Sequence, residues 1–261
     1  MTGTDGTSRF QGRTLLGVFA HPDDESVTCG GLLALCAAQG ARVAVLCLTR
    51  GEAGPSSAPD GQALGARRAD ELRGAAATLG ISDVELLGHP DGMLPWVEAA
   101  ALERDIRATV LRLRPDVVVT FGADGLYWHP DHIAVHERVT AVVESLGADA
   151  PALYCATVPP GAMQAVFDRA CALADRAGGS RPVRILGIDQ PAAFGAHAAV
   201  PTLIVDAGAH ATRKLDALRA HASQLVEDAL SWLTPEDAHL LALEHFHRAG
   251  PRDGFIEALG A

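Results

Sequence analysis

The feature that most constrains the fold is a regular alternation. Through the first 160 residues, short apolar runs take turns with longer stretches of helical periodicity. Residues 14–20 (TLLGVFA), 42–48 (RVAVLCL), 84–87, 116–121 (DVVVTF) and 152–157 read as strands. Residues 26–39, 64–79, 96–113 and 133–146 read as the helices between and after them; Gly40 and Gly80 close the first two, and Pro115 stops the third. Each parallel crossover lays its helix on a face of the sheet, so this pattern predicts an α/β fold with a mostly parallel sheet covered on both faces.

The C-terminal half is less regular. A helix is expected over 162–176, a late strand over 202–206 and a long helix over 209–230. Thr234-Pro235-Glu236-Asp237 reads as a further helix start, with a threonine cap and proline in the first turn. With 261 residues and no repeat or long linker, one domain over 13–261 is expected, after a polar, glycine-rich and flexible segment 1–12.

Composition excludes several roles. Lys+Arg number 21 against 32 Asp+Glu, a formal charge of −11, and an acidic surface repels nucleic acid. No apolar run approaches the ~18–20 residues of a membrane span, and residues 1–12 lack a signal-peptide pattern. The five cysteines contain no C-x-x-C and read as reduced thiols of a cytoplasmic protein. A homo-oligomer remains open.

The chemistry concentrates in two clusters. His21-Pro22-Asp23-Asp24-Glu25 follows the first strand directly, and Tyr127-Trp128-His129-Pro130-Asp131-His132 follows strand 116–121. Both fall at the carboxyl ends of strands, where open α/β sheets bind ligands. His21 and Asp24, three apart at a turn, can converge on one ion, with His132 as a third ligand. Two imidazoles and a carboxylate with an open position is the pattern of a catalytic zinc site; iron(II) accepts the same set. Asp23, beside a ligand but pointing elsewhere, suits the role of general base. His129 suits an electrophile or acid, with Asp131 a candidate to orient it. A third H-P-D, His89-Pro90-Asp91, lacks the further ligand-type residue and reads as a loop whose Asp91 touches substrate. A G-x-G-x-x-G turn is missing after the first strand, which argues against a nucleotide-binding dehydrogenase.

Together, A-H-P-D-D-E and H-P-D-H resemble the LmbE-like zinc N-deacetylases, which include the GlcNAc-phosphatidylinositol de-N-acetylases. Thr49-Arg50-Gly51-Glu52-Ala53-Gly54 is similar to the family's T-x-G-E-x-G loop, Arg68-Ala69-Asp70-Glu71-Leu72 to its R-x-x-E-L helix start, and residues 214–224 to its K-x-x-A-L-x-x-H-x-S-Q segment. Residues 159–200 match nothing in that pattern and are where substrate preference is expected to vary. The resemblance implies a Rossmann-like fold and one zinc held by His21, Asp24 and His132. It implies Asp23 as general base and His129 as the group that stabilises the oxyanion or protonates the leaving amine. Tyr127 falls where members carry a mobile tyrosine, and Glu52, Arg68 and Asp91 where they contact sugar. Plainer roles compete: Arg68 can pair with Asp70 or Glu71 on a solvated helix face, Glu52 can be an ordinary loop acid, and His221 can either back up the site or donate an N–H to a neighbouring carbonyl. The implied reaction removes an acetyl group from an N-acetylglucosamine-type conjugate. The alternatives are hydrolysis of another amide, in a thiol–sugar conjugate or an acylated antibiotic, and a non-catalytic sugar- or metal-binding protein.

Overall fold

The computed structural model describes residues 9–55, 61–251 and 253–260. In chain order the elements are β1 (Thr14–Phe19), α1 (Asp24–Ala38), β2 (Arg42–Thr49), α2 (Gly61–Leu79), β3 (Asp83–His89), α3 (Ala99–Leu113), β4 (Val117–Phe121), α4 (Gly125–Trp128), α5 (Pro130–Ser145), β5 (Ala152–Thr157), α6 (Ala162–Ala177), β6 (Leu203–Asp206), α7 (Ala211–Ala220), β7 (Leu243–Arg248) and α8 (Gly254–Glu257). Seven strands form one sheet in the order β3-β2-β1-β4-β5-β7-β6. The first five are parallel, and β7 runs antiparallel between β5 and β6. β1 and β4 are buried almost throughout, as central strands covered on both faces must be. Helices α1, α2 and α7 pack together against the sheet, and α3 packs with α5 as a separate layer. Phe19 and Phe121 meet edge to face between β1 and β4, with ring centroids 5.4 Å apart.

The chain runs from β1 outward to β2 and β3, then returns to β4 on β1's other side. This places the topological switch point between β1 and β4, and both histidine motifs emerge from the carboxyl ends of these two strands.

The fold departs from the sequence expectations in four places. Helix α3 starts at Ala99 rather than residue 96; Leu94–Trp96 form a separate 3₁₀ turn. The helix expected over 209–230 stops at Ala220. There His221 turns inward, and Glu71 takes the backbone N–H and hydroxyl of Ser223 at 2.9 and 2.7 Å. Strand β7 was not anticipated, because its sequence, LEHFHR, buries a glutamate beside phenylalanine. The N-terminal segment is anchored by Phe10, which is buried against Phe255 and donates its N–H to the Gln39 carbonyl at 2.8 Å; residues 1–8 lie outside the described residues.

Helix α1 is two helices joined at Cys29, whose φ of −148° breaks the helical path. The break frees the N–H groups of Gly31 and Leu32, and the Glu244 carboxylate on β7 accepts both, at 2.8 and 2.7 Å. Lys214 on α7 pairs with the same carboxylate at 2.7 Å. Gly31 permits this approach, since a Cβ there would meet Ala207 and Glu244.

Candidate active site

The turn after β1 is built around Asp24. Its Oδ2 accepts the backbone N–H of His21 at 2.7 Å, closing the loop into α1. Asp23 sits at φ 124°, a left-handed backbone costly for a side-chain-bearing residue, of order 1–3 kcal/mol. Surrounding groups hold it there. Its N–H donates to Glu25 Oε2 at 3.1 Å, and its carboxylate accepts from Arg68 Nη2 at 3.0 Å. The adjacent aspartates thus diverge. Asp24 faces the histidines, and Asp23 faces Arg68.

His21, Asp24 and His132 converge. Asp24 Oδ2 is 3.3 Å from His21 Nδ1, Asp24 Oδ1 is 3.1 Å from His132 Nε2, and the two ring nitrogens are 3.2 Å apart. Nitrogen ligands at ~2.0–2.1 Å from a tetrahedral ion lie about 3.3–3.4 Å from one another, so the spacing suits a shared cation. The outer nitrogens set the tautomers. His132 Nδ1 donates to the Gly125 carbonyl at 3.2 Å, and His21 Nε2 donates to Asp91 at 3.1 Å and Asp131 at 3.3 Å. This leaves His21 Nδ1 and His132 Nε2 as lone pairs facing each other, which is repulsive unless a proton or metal ion lies between them. Two overlapping groups, His21–His129–His132 and His21–Asp91–Asp131, also bring ligand-type atoms close. The second is already committed to hydrogen bonds with His21 and the backbone.

The Asp131 carboxylate does not orient His129 as its sequence position suggests; only the Asp131 backbone N–H reaches that ring. The carboxylate is fully buried, contacts His21, and accepts the N–H groups of Gly92 and Leu94 at 2.8 and 3.0 Å. The geometry therefore corrects that expectation: the side chain fixes His21 and the loop after β3. His129 instead caps α5, its Nδ1 accepting the Asp131 backbone N–H at 3.2 Å, so the ring carries its proton on Nε2. It lies over His132, with centroids 4.4 Å apart. Tyr127 is packed against His129, His132 and Phe194.

The three expected sugar contacts have structural partners of their own. Asp91 accepts the Ala53 N–H at 2.7 Å and Glu52 Oε1 accepts the Asp91 N–H at 3.0 Å, which locks the loops after β2 and β3 together. Glu52 Oε2 is buried without a partner among the described residues. Arg68 is not on a solvated helix face. It is buried and donates to the carbonyls of Gly51 and Pro22 at 3.0 and 2.7 Å as well as to Asp23. Gly51, at φ 67°, leaves the room that a Cβ would take from the guanidinium.

Sequence reasoning gave no role to Glu25. Its buried carboxylate accepts from Asp23 N–H, from Ser26 Oγ at 2.5 Å and from His221 Nε2 at 2.8 Å. The available signal was its place in H-P-D-D-E and the histidine of the 214–224 segment.

Electrostatics follow from this packing. Burial pushes Asp23 up to about 6, with Arg68 pulling it down and Asp24 raising it. Burial opposes ionisation of Asp24 as well, but His132 and His21 outweigh it and hold its carboxyl well below the usual range. Burial disfavours the His21 imidazolium, yet Asp131, Asp24 and Asp91 together raise it well above its ordinary value. Burial, with His132 and His21, lowers His129 to about 4, so it is neutral at pH 7. A metal ion on the same ligands would act on His129 with the same sign.

Residues 16–143, which begin within β1 and include both histidine motifs, match the family described as GlcNAc-PI de-N-acetylase (PIG-L). A 1D-myo-inositol 2-acetamido-2-deoxy-alpha-D-glucopyranoside deacetylase from Acidothermus cellulolyticus is 35% identical over 245 residues, covering 83% of this chain and 81% of that protein. The chain belongs to the GlcNAc-PI de-N-acetylase family. It is by family an amide-hydrolysing deacetylase. Among solved structures, N,N'-diacetylchitobiose deacetylase from Pyrococcus horikoshii superposes with a TM-score of 0.64 at 19% identity, covering 90% of this chain and 83% of that one. GalB, the 4-carboxy-2-hydroxymuconate hydratase of Pseudomonas putida KT2440, matches with a TM-score of 0.64 at 18% identity, covering 92% and 98%. Fold likeness at this distance thus extends to a different reaction. Among the described residues, no helix is long and apolar enough to cross a membrane.

Proposed function

We propose that the chain is a zinc-dependent N-deacetylase that releases acetate from an N-acetylglucosamine conjugate, with a small polyol aglycone such as the inositol of its relatives. Iron(II) suits the same ligands. The ion would be held by His21, Asp24 and His132. A divalent ion there supplies Lewis-acid polarisation of the amide carbonyl and acidifies a water.

The chain's own residues do the rest. Asp23 takes the proton of the attacking water as the oxygen bonds to the amide carbon. The neutral His129 offers its Nε2–H to the oxygen on which negative charge develops. Because His129 is lowered to about 4, little imidazolium exists at pH 7 to serve as an acid. Asp23 then returns its proton to the amine as the C–N bond breaks. Burial raises the Tyr127 hydroxyl well above its ordinary value, and Asp24 and Asp23 add to this, so it remains a donor. Asp91 and Asp131 keep His21 in its tautomer, and Glu52 is free on one oxygen to take a substrate hydroxyl. Arg68 acts first through Asp23 and only secondarily on sugar.

The observation that carries this reading is the divergence of Asp23 from Asp24, because a storage or binding protein has no use for a second, half-buried carboxylate held beside the proposed ligands. The test is acetate and amine release from 1D-myo-inositol 2-acetamido-2-deoxy-α-D-glucopyranoside by metal-defined protein. Stoichiometric release that stops on chelation and returns with zinc is expected. Binding of the conjugate without release would return the chain to the class of binding proteins.

A further inference from the structure

A cavity of about 220 Å³ lies between α1, α6 and β7, and the metal-ligand cluster does not use it. Aliphatic side chains dominate it: Val27, Leu126, Val158, Met163, Val166 and Leu241. Its charged lining is neutralised internally. Lys214 and Glu244 pair with each other at 2.7 Å, and the Glu244 oxygens are filled by the N–H groups of Gly31 and Leu32. Two of its lining residues neighbour the candidate active site along the chain. Leu126 immediately precedes Tyr127, and Thr28, also lining it, donates its hydroxyl to the Asp24 carbonyl at 2.7 Å.

Sheet order determines which part of a substrate would reach it. The polar groups of Glu52, Arg68 and Asp91 belong to the β2 and β3 side of the switch point. The ion ligands straddle β1 and β4, and the cavity lies beyond them at β5 and β7. A planar amide crossing the switch point sends its nitrogen substituent one way and its acyl substituent the other. With the sugar on the polar side, the acyl group points toward the aliphatic cavity. An apolar cavity of about 150 Å³ accepts a six-carbon ring, so this one exceeds the needs of an acetyl methyl.

We propose that this cavity is an acyl-chain subsite, and that the enzyme hydrolyses N-acyl amino-sugar conjugates with straight chains of about six carbons as well as N-acetyl ones. The inference rests on the deacetylase reading and widens its substrate class. The reaction is the same hydrolysis: the amide C–N bond breaks, the water oxygen bonds to the acyl carbon, and the products are a carboxylate and a protonated amine.

The test compares N-acetyl and N-hexanoyl forms of one glucosaminyl-inositol conjugate, using metal-loaded wild type, Ala162→Phe and Met163→Trp. Both substituted positions line the cavity on α6, away from the reacting groups, and two variants guard against misfolding of either. Wild-type kcat/KM for hexanoyl is expected within about tenfold of acetyl, and the bulky variants should lose hexanoyl hydrolysis by about 30-fold or more while keeping acetyl hydrolysis. Amine release from the acetyl conjugate alone overturns the subsite and leaves the deacetylase standing. Equal loss of both activities in both variants, or loss of neither, also overturns the subsite. Release from neither conjugate by wild type overturns the deacetylase reading and this inference with it.

Discussion

Two residues of the same chemistry, Asp23 and Asp24, are given different electrical surroundings by the fold. Arg68 works on one of them. Its guanidinium favours the ionised Asp23, so its loss should raise the Asp23 pKa. In the proposed mechanism activity needs that carboxylate ionised, so the acidic limb of the pH–rate profile should move to higher pH in Arg68→Lys, whose single nitrogen cannot occupy the positions of both Nη1 and Nη2. We expect kcat to fall more than KM rises. A profile with an unmoved acidic limb and only a raised KM would restore Arg68 to pure sugar binding. Asp131 supports a ligand, and Asp131→Asn should weaken metal affinity by about 10–100-fold, measurable by competition with a chromogenic chelator. The convergence of His21, Asp24 and His132 was legible because motif spacing and strand ends place them together. The partner of Asp131 was not, since Gly92 and Leu94 reach it from 39 and 37 residues away while His129 stands only two residues off.

At the scale of elements, the polar network of Lys214, Glu244 and the break in α1 shows what sequence periodicity misses. A glutamate in a short run with two histidines looks like surface. It is buried because α1 breaks at Cys29 and leaves two N–H groups in need of an acceptor. Removing one partner of a buried pair leaves the other charge uncompensated, at a cost of about 3–5 kcal/mol. Lys214→Met should therefore lower unfolding free energy by that order in urea titrations, with a smaller loss in the double variant Lys214→Met/Glu244→Gln. An exposed pair would give under about 1 kcal/mol. Helix α7 was overestimated for a related reason, since helical periodicity does not show that the chain turns inward at His221 to meet Glu25.

For the whole molecule, the parallel half of the sheet was readable because doubly buried strands are continuous apolar runs. At the antiparallel edge β6 was expected over 202–206 but β7 was not, because its short run alternates buried and exposed residues around a glutamate. The site sits where the two halves of the parallel sheet diverge, and its proposed ligands follow both β1 and β4. A bound ion therefore ties the switch point together. At a free zinc concentration of 100 times Kd, the gain in stability should be about 2.7 kcal/mol, read as a drop in melting temperature on chelation. In His132→Ala that drop should vanish.

The central claim is that neighbouring aspartates divide ion binding from proton transfer. Elemental analysis paired with single-substrate turnover of Asp23→Asn and Asp24→Asn tests it directly. Asp23→Asn should retain one ion per chain and lose about 10²–10⁴-fold in kcat, together with the acidic limb of its pH profile. Burial places that limb at about 6, and a bound ion moves it lower by favouring the charged carboxylate. Asp24→Asn should lose the ion and recover part of its activity in excess metal. An Asp23→Asn enzyme that turns over at the wild-type rate, or that loses its ion while Asp24→Asn keeps it, would contradict the account.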